Sequence, residues 1–180
     1  MKTLRIAMAG VGIMLGMLMF QPQAQAESAL LRLPFGIELG KKIPEKIAGR
    51  CTTVNRNGHV FRYKCMGKFW IHVKGKKMVN LRFLYLDKDT SHSLPSRWKK
   101  LGLYMRTDTK DGVSLSKALD IVKKQGAVHI EVNDKADYVR TIKFDLQDKY
   151  HFSMHFDVEG GRDAGLSDFW VDQNTLIEDY

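Results

Sequence analysis

Two histidines four residues apart, His151 and His155, stand in the stretch KYHFSMHFDVEGG (Lys149–Gly161), with Asp157 and Glu159 close behind. Imidazoles and carboxylates at this spacing have two chemistries open to them: zinc ligation, or acid–base work in a small hydrolase. The backbone decides between them. On a helix, a four-residue step puts both rings on one face about 6 Å apart, close enough for one metal ion. On a strand, the same step separates them by about 13 Å, at roughly 3.3 Å per residue. Tyr150, Phe152, Met154, Phe156 and Val158 alternate with His151, Ser153, His155 and Asp157. The period is two, which predicts a strand with its apolar set toward a core and its histidines outward. One ion then cannot bridge both histidines, and a neighbouring strand would have to complete a site by pairing His155 with Asp145 or His129. His151, His155 and Asp157 are the weak metal candidates, and the expectation is that no metal or other cofactor is bound.

Other motifs add little chemistry. DVEGGRDAGLSD gathers Asp157, Glu159, Asp163 and Asp168 around Gly160-Gly161. Its spacing is not that of a helix–loop–helix calcium loop, so it reads as a solvated acidic loop. The sequence contains no GxSxG, no HExxH and no glycine-rich phosphate loop. The expectation is a protein without catalysis. A small envelope hydrolase or metal-binding protein using the His151, His155 and Asp157 face is the alternative.

Charge is the stronger signal. The chain carries a formal net charge of +9. Glu27–Lys110 has 19 Lys and Arg against 6 Asp and Glu, whereas Asp111–Tyr180 has 8 against 14. In HVFRYKCMGKFWIHVKGKK, strand alternation puts Arg62 and Lys64 on one face, and Lys68, Trp70, His72 and Lys74 on one face. With Arg82 from MVNLRFLYL, the residues Arg62, Lys64, Lys68, Trp70, Lys74 and Arg82 are the candidate binding surface. Such a surface suits an acidic protein partner, whose approach a positive field accelerates and orients. A polyanion such as lipopolysaccharide or anionic lipid is a further candidate, and nucleic acid is expected less. The bland alternative is a solvated face, partly neutralised by the acidic half of the same chain.

Residues 1–26 read as a signal peptide: Lys2 and Arg5, an apolar run from Ile6 to Phe20, and the small-x-small site Ala24-Gln25-Ala26. Cleavage near Ala26 would leave a periplasmic or secreted chain with no later membrane-spanning segment. In that compartment Cys51 and Cys65 are expected to form a disulfide. They flank Asn57-Gly58, a hairpin signal, and they obey the pairing sum of 116 expected across a loop centred on Gly58.

The elements that position these residues fall into two similar series. LPFGIELGKKIPEKIAG holds a short helix candidate, and CTTVN, HVFRYKC, KFWIHVK and MVNLRFLYL follow as extended runs. Pro95 and Gly102 bracket a connecting helix. From Asp111, VSLSKALDIVKKQGA is the best helix, with Ser114 as N-cap, Leu115, Ala118, Leu119 and Val122 on one face, and Gly126 at its end. AVHIEVN, YVRTIKFDL and YHFSMHFDV follow as a meander with turns at Asn133-Asp134 and Asp148-Lys149. Helix-then-meander, twice, is an architectural repeat at roughly 70 residues. The predicted organisation is a basic first unit with its connecting helix, 27–110, and an acidic second unit, 111–180. The predicted fold is α+β: two tandem helix-plus-antiparallel-meander units in one compact domain, clamped by Cys51–Cys65.

Phe35-Gly36-Ile37 with Leu39-Gly40 before the first series, and Gly112-Val113-Ser114-Leu115 opening the second, carry a resemblance. The arrangement resembles the small exported proteins typified by the β-lactamase inhibitory proteins, which hold two tandem copies, and by the small lipoprotein of the outer-membrane assembly machine, which holds one. The resemblance implies a scaffold for binding other proteins, such as an inhibitor, immunity or envelope-assembly factor. It implies no catalytic residues. The chain departs from the lipoprotein in having no cysteine directly following its apolar run.

Overall fold

The computed structural model describes residues 28–57, 60–85 and 93–173. The signal-peptide segment, Gly58 and Tyr180 lie outside the described residues. Two 3-10 turns, Ala29–Leu31 and Pro34–Gly36, precede a four-residue helix, α1 (Glu45–Ala48). A first meander follows: β1 (Cys51–Asn57), β2 (Val60–Cys65), β3 (Phe69–Lys74) and β4 (Lys77–Leu84). Helices α2 (Ser96–Lys100) and α3 (Leu115–Lys124) lead into a second meander: β5 (Val128–Asn133), β6 (Val139–Leu146), β7 (Tyr150–Glu159) and β8 (Arg162–Gln173). The eight strands form one antiparallel sheet in the order β1-β2-β3-β4-β8-β7-β6-β5. The last strand of each meander thus lies beside the last strand of the other. The architecture is α+β with two helix-plus-meander units, weighted heavily toward sheet.

Corresponding strands begin 77 residues apart at the first strand (128 − 51) and 85 apart at the last (162 − 77). This is wider than the roughly 70 residues expected. The strands of the second meander are longer, β6 and β7 having 8 and 10 residues against 6 each in β2 and β3.

A further correction concerns β8. The segment read as a solvated acidic loop is the longest strand, of 12 residues. Gly160-Gly161 is the two-residue turn that starts it. Both have positive φ (57° and 79°), and Glu159 pairs with Arg162, the arrangement of a type I′ hairpin. Asp163 is not a solvent-facing acid either. Its Oδ2 accepts from Leu115 N at 2.9 Å and caps α3, whose expected cap, Ser114, makes no side-chain capping bond to the helix backbone and meets only Ser116 Oγ at 3.4 Å.

The predicted Cys51–Cys65 disulfide is present, with Cα atoms 4.0 Å apart across β1 and β2. The pairing sum of 116 holds from Cys51 to Thr53. A bulge at Val54 then shifts it by one, so Asn55 opposes Arg62. Replacing both cysteines by serine is expected to cost about 3 kcal/mol in the chain-entropy picture of a loop this long. Urea unfolding of the oxidised protein and the Ser/Ser variant checks this.

One face of the sheet is dry. Tyr150, Phe152, Met154 and Phe156 of β7, Ile142, Phe144 and Leu146 of β6, and Phe169 and Val171 of β8 are buried. The 3-10 segments, α2 and α3 cover this face with Leu30, Leu31, Trp98, Ala118 and Val122. Trp98 sits over the junction of the two meanders, its ring 5.5 Å from Phe83 of β4 and 4.9 Å from Phe169 of β8. Among the described residues, no helix packs on the opposite face.

Candidate functional site

The uncovered face is built by register. Lys64, Trp70, Arg82, Trp170, Ser153 and Lys143 are successive cross-strand neighbours from β2 to β6. At roughly 4.8 Å per strand, this row spans about 24 Å. The next row runs Arg62, His72, Asn80, Asp172, His151 and Asp145. Strand alternation commits every one of these side chains to the side away from the core.

Flat groups stack along the centre of the face. The Arg62 guanidinium lies 4.9 Å from the centre of the Trp70 ring. Arg82 lies between Trp70 (6.0 Å) and Trp170 (4.4 Å). The His155 ring stacks on Trp170 at 5.2 Å. The result is a ladder, Arg62–Trp70–Arg82–Trp170–His155, crossing five strands. Cations over indole faces are attracted by the ring quadrupole.

Polar bonds fix the rungs. Arg82 Nε donates to Asp168 Oδ1 at 3.0 Å, and its Nη2 donates to Asp168 Oδ2, a two-pronged pair with a carboxylate only 5% exposed. Arg62 Nε donates to His72 Nε2 at 3.1 Å, so His72 must be neutral to accept. Burial, helped by the charges of Arg62 and Arg82, lowers the His72 pKa to about 4. Asn80 Nδ2 donates to Asp172 Oδ1 at 2.6 Å, and burial raises the Asp172 pKa despite that bond. Burial likewise lowers His155.

These shifts set a pH dependence. In the folded chain His72 takes a proton only near pH 4, against 6.5 when unfolded, so between those values the unfolded chain binds more protons. Stability therefore falls as pH drops through that window, and His155 acts in the same direction. Asp172 acts oppositely: its raised pKa removes stability as pH rises through the native value. His72→Gln, which keeps an acceptor for Arg62, is expected to flatten part of the acid loss. Urea midpoints of both proteins at about pH 7 and about pH 4.5 check this.

Of the residues predicted from sequence, Arg62, Lys64, Trp70 and Arg82 meet on this face. Lys74 ends β3 on the same side, beside the Gly75-Lys76 turn. Lys68 does not join them. It precedes β3 in the β2–β3 turn and lines a cleft at the end of the core. The sequence reading put Asp168 in a solvated acidic loop and did not place Trp170 on this face, because their strand was not recognised. The alternation of Asp168, Trp170 and Asp172 with Phe169 and Val171 is the signal that finds them.

His151, His155 and Asp157 do not form one site. His151 Nδ1 is 2.8 Å from Asp145 Oδ1, and His129 Nδ1 is 2.9 Å from the other oxygen. Burial pushes Asp145 up, but the bonds from His151 and His129 outweigh it and hold the carboxyl below its usual pKa. His155, expected to pair with Asp145 or His129, instead meets Ser153 Oγ at 3.1 Å. Asp157 and Glu159 are held by Arg106 at 2.7 and 2.5 Å. Among the described residues, no three His, Cys, Asp or Glu side chains gather to hold a metal ion.

The fold and this face define an α+β protein with a doubled meander and one polar, tryptophan- and arginine-lined sheet face that the described helices leave open. Comparison with protein-family models, with curated proteins and with solved structures finds no match for the chain.

Proposed function

We propose that the chain is an exported, non-catalytic binding protein that recognises an acidic protein surface through the uncovered sheet face. The observation that carries this reading is the ladder Arg62–Trp70–Arg82–Trp170–His155 on a face with no covering helix among the described residues. Tryptophan and arginine dominate the centres of protein interfaces, where large rigid side chains bury area at low entropic cost. Here the ladder holds these groups in fixed positions before any partner arrives, which reduces the ordering cost of binding. Lys64, Lys74 and Lys143 surround it and supply a positive field that favours an acidic partner. The Cys51–Cys65 disulfide and the N-terminal apolar run support export. The doubled meander supports the resemblance to tandem-copy inhibitory proteins, and with it an inhibitor, immunity or envelope-assembly role.

The test is capture from envelope and secreted extract by the purified chain. A Trp70→Ala/Trp170→Ala variant and an Arg62→Glu/Lys64→Glu variant run alongside. The tryptophan pair is expected to contribute about 2 kcal/mol or more, so its loss weakens retention of a specific protein by roughly 30-fold or more. The charge reversal is expected to slow association and remove its salt dependence. Retention of only lipopolysaccharide or nucleic acid, lost in salt, would replace this reading with a polyanion binder.

A further inference from the structure

A second feature lies on the helix side of the sheet, away from the ladder. A cleft of about 680 Å³ opens where the Pro34–Gly36 turn, the β2–β3 turn and the start of α2 meet at the end of the core. Its volume is within the range of sites that enclose a small molecule, roughly 300–1,000 Å³. The geometry points to a binding site for a single-chain acyl anion, a long-chain carboxylate, with its tail on the aromatic floor and its head at the cationic rim.

The floor is apolar. Phe69, Phe83 and Leu94 form it, and the Phe69 and Phe83 rings are 5.8 Å apart. Phe35 forms a wall, its ring stacked at 5.5 Å over Phe69. Phe35 has φ 58° and ψ 18°, in the left-handed region that a bulky side chain rarely enters. It is also 36% exposed, so this strained backbone holds an aromatic ring partly in water. Strain of this kind concentrates where a ligand is gripped. A chain lying against Phe35 would remove that exposed ring from water.

The rim has one sign. Lys68, Arg97, Lys99 and Lys100 line the cleft, and among the described residues no carboxylate does. Among the described residues, none of these four cations makes a salt bridge. An inorganic anion would leave the floor unused, and a neutral lipid would leave the rim unused. An acyl carboxylate uses both, through apolar burial and charge-assisted bonds to lysine and arginine.

The test uses the full chain and a dansylated undecanoate, whose fluorescence rises on transfer to an apolar site. Palmitate, palmityl alcohol and acetate serve as competitors. Saturable one-to-one binding is expected, displaced by palmitate, at least about tenfold less well by the alcohol, and not by acetate. Lys68→Glu/Arg97→Glu/Lys100→Glu, with an unchanged circular dichroism spectrum, is expected to weaken the probe by about tenfold or more, and Lys117→Glu on the exposed side of α3 to leave it unchanged. Absence of saturable binding would overturn the proposal. So would equal displacement by the alcohol, unchanged binding in the triple variant, or binding confined to anionic vesicles.

Discussion

Alanine at Gly165 is expected to prevent the second unit from docking onto its own connecting segment. A Cβ there would lie 2.5 Å from Gly112 C and O and 2.6 Å from Gly112 Cα, all backbone atoms. The φ of +89° adds strain of its own. The reciprocal change, Gly112→Ala, would place a Cβ 2.6 Å from Leu166 N and 2.8 Å from Arg106 N. No flexible side chain is available to yield. The contact is tight because the backbones bond directly: Arg106 N to Leu166 O at 2.8 Å, Leu166 N to Val113 O at 3.0 Å, and Gly112 N to Ala164 O at 3.2 Å. Either substitution is expected to cost more than about 4 kcal/mol, in the exceptional tail of single mutations. Gly160→Ala is the control. Its φ is +57° but nothing lies within 4 Å of the added carbon, so only the left-handed penalty of about 1–2 kcal/mol applies. Chemical denaturation of the three variants should separate them clearly. Equal costs would contradict the close approach.

The second large effect is at the centre of the ladder. Arg82→Met leaves Asp168, 5% exposed, without its cation among the aromatic rings. Breaking a buried pair from one side is expected to cost about 3–5 kcal/mol. Arg82→Met/Asp168→Leu removes both charges and should recover most of that loss, because the buried charge is gone. The double variant is expected to be folded and yet to bind partner poorly, because the middle rung between Trp70 and Trp170 no longer carries a cation. Equilibrium unfolding and partner capture on the same samples measure both consequences. An Arg82→Met protein as stable as the wild type would show that Asp168 finds another partner.

How far the sequence exposes all this depends on the element. The period of Tyr150–Val158 is legible because one face meets the core and the other meets polar neighbours. That alternation alone rules out one ion shared by His151 and His155. β8 is hidden because Gly160-Gly161, Asp163 and Gly165 look like a loop when each is seen locally. The glycine pair is a hairpin turn, and the other two have long-range causes: a cap on α3 and contact with Gly112. With β8 hidden, Trp170 and Asp168 are hidden too, and only the β2–β4 half of the ladder is visible. The segment charges announce that the basic front meets the acidic back. They cannot say that Arg82 meets Asp168, 86 residues away, because strand register decides that pairing. Lys68 fails for a simpler reason. Alternation extends a strand pattern into a turn, where it no longer applies.

The most direct test of the binding face is site-specific photo-cross-linking in partner-containing extract. A photoreactive residue replaces Lys64 or Lys143 at the two ends of the central row, or Lys117 on the exposed side of α3. If the uncovered sheet face is the interface, the same protein is cross-linked from positions 64 and 143 and not from 117. Cross-linking from 117 with none from 64 and 143 would place the partner on the helix side and contradict the reading.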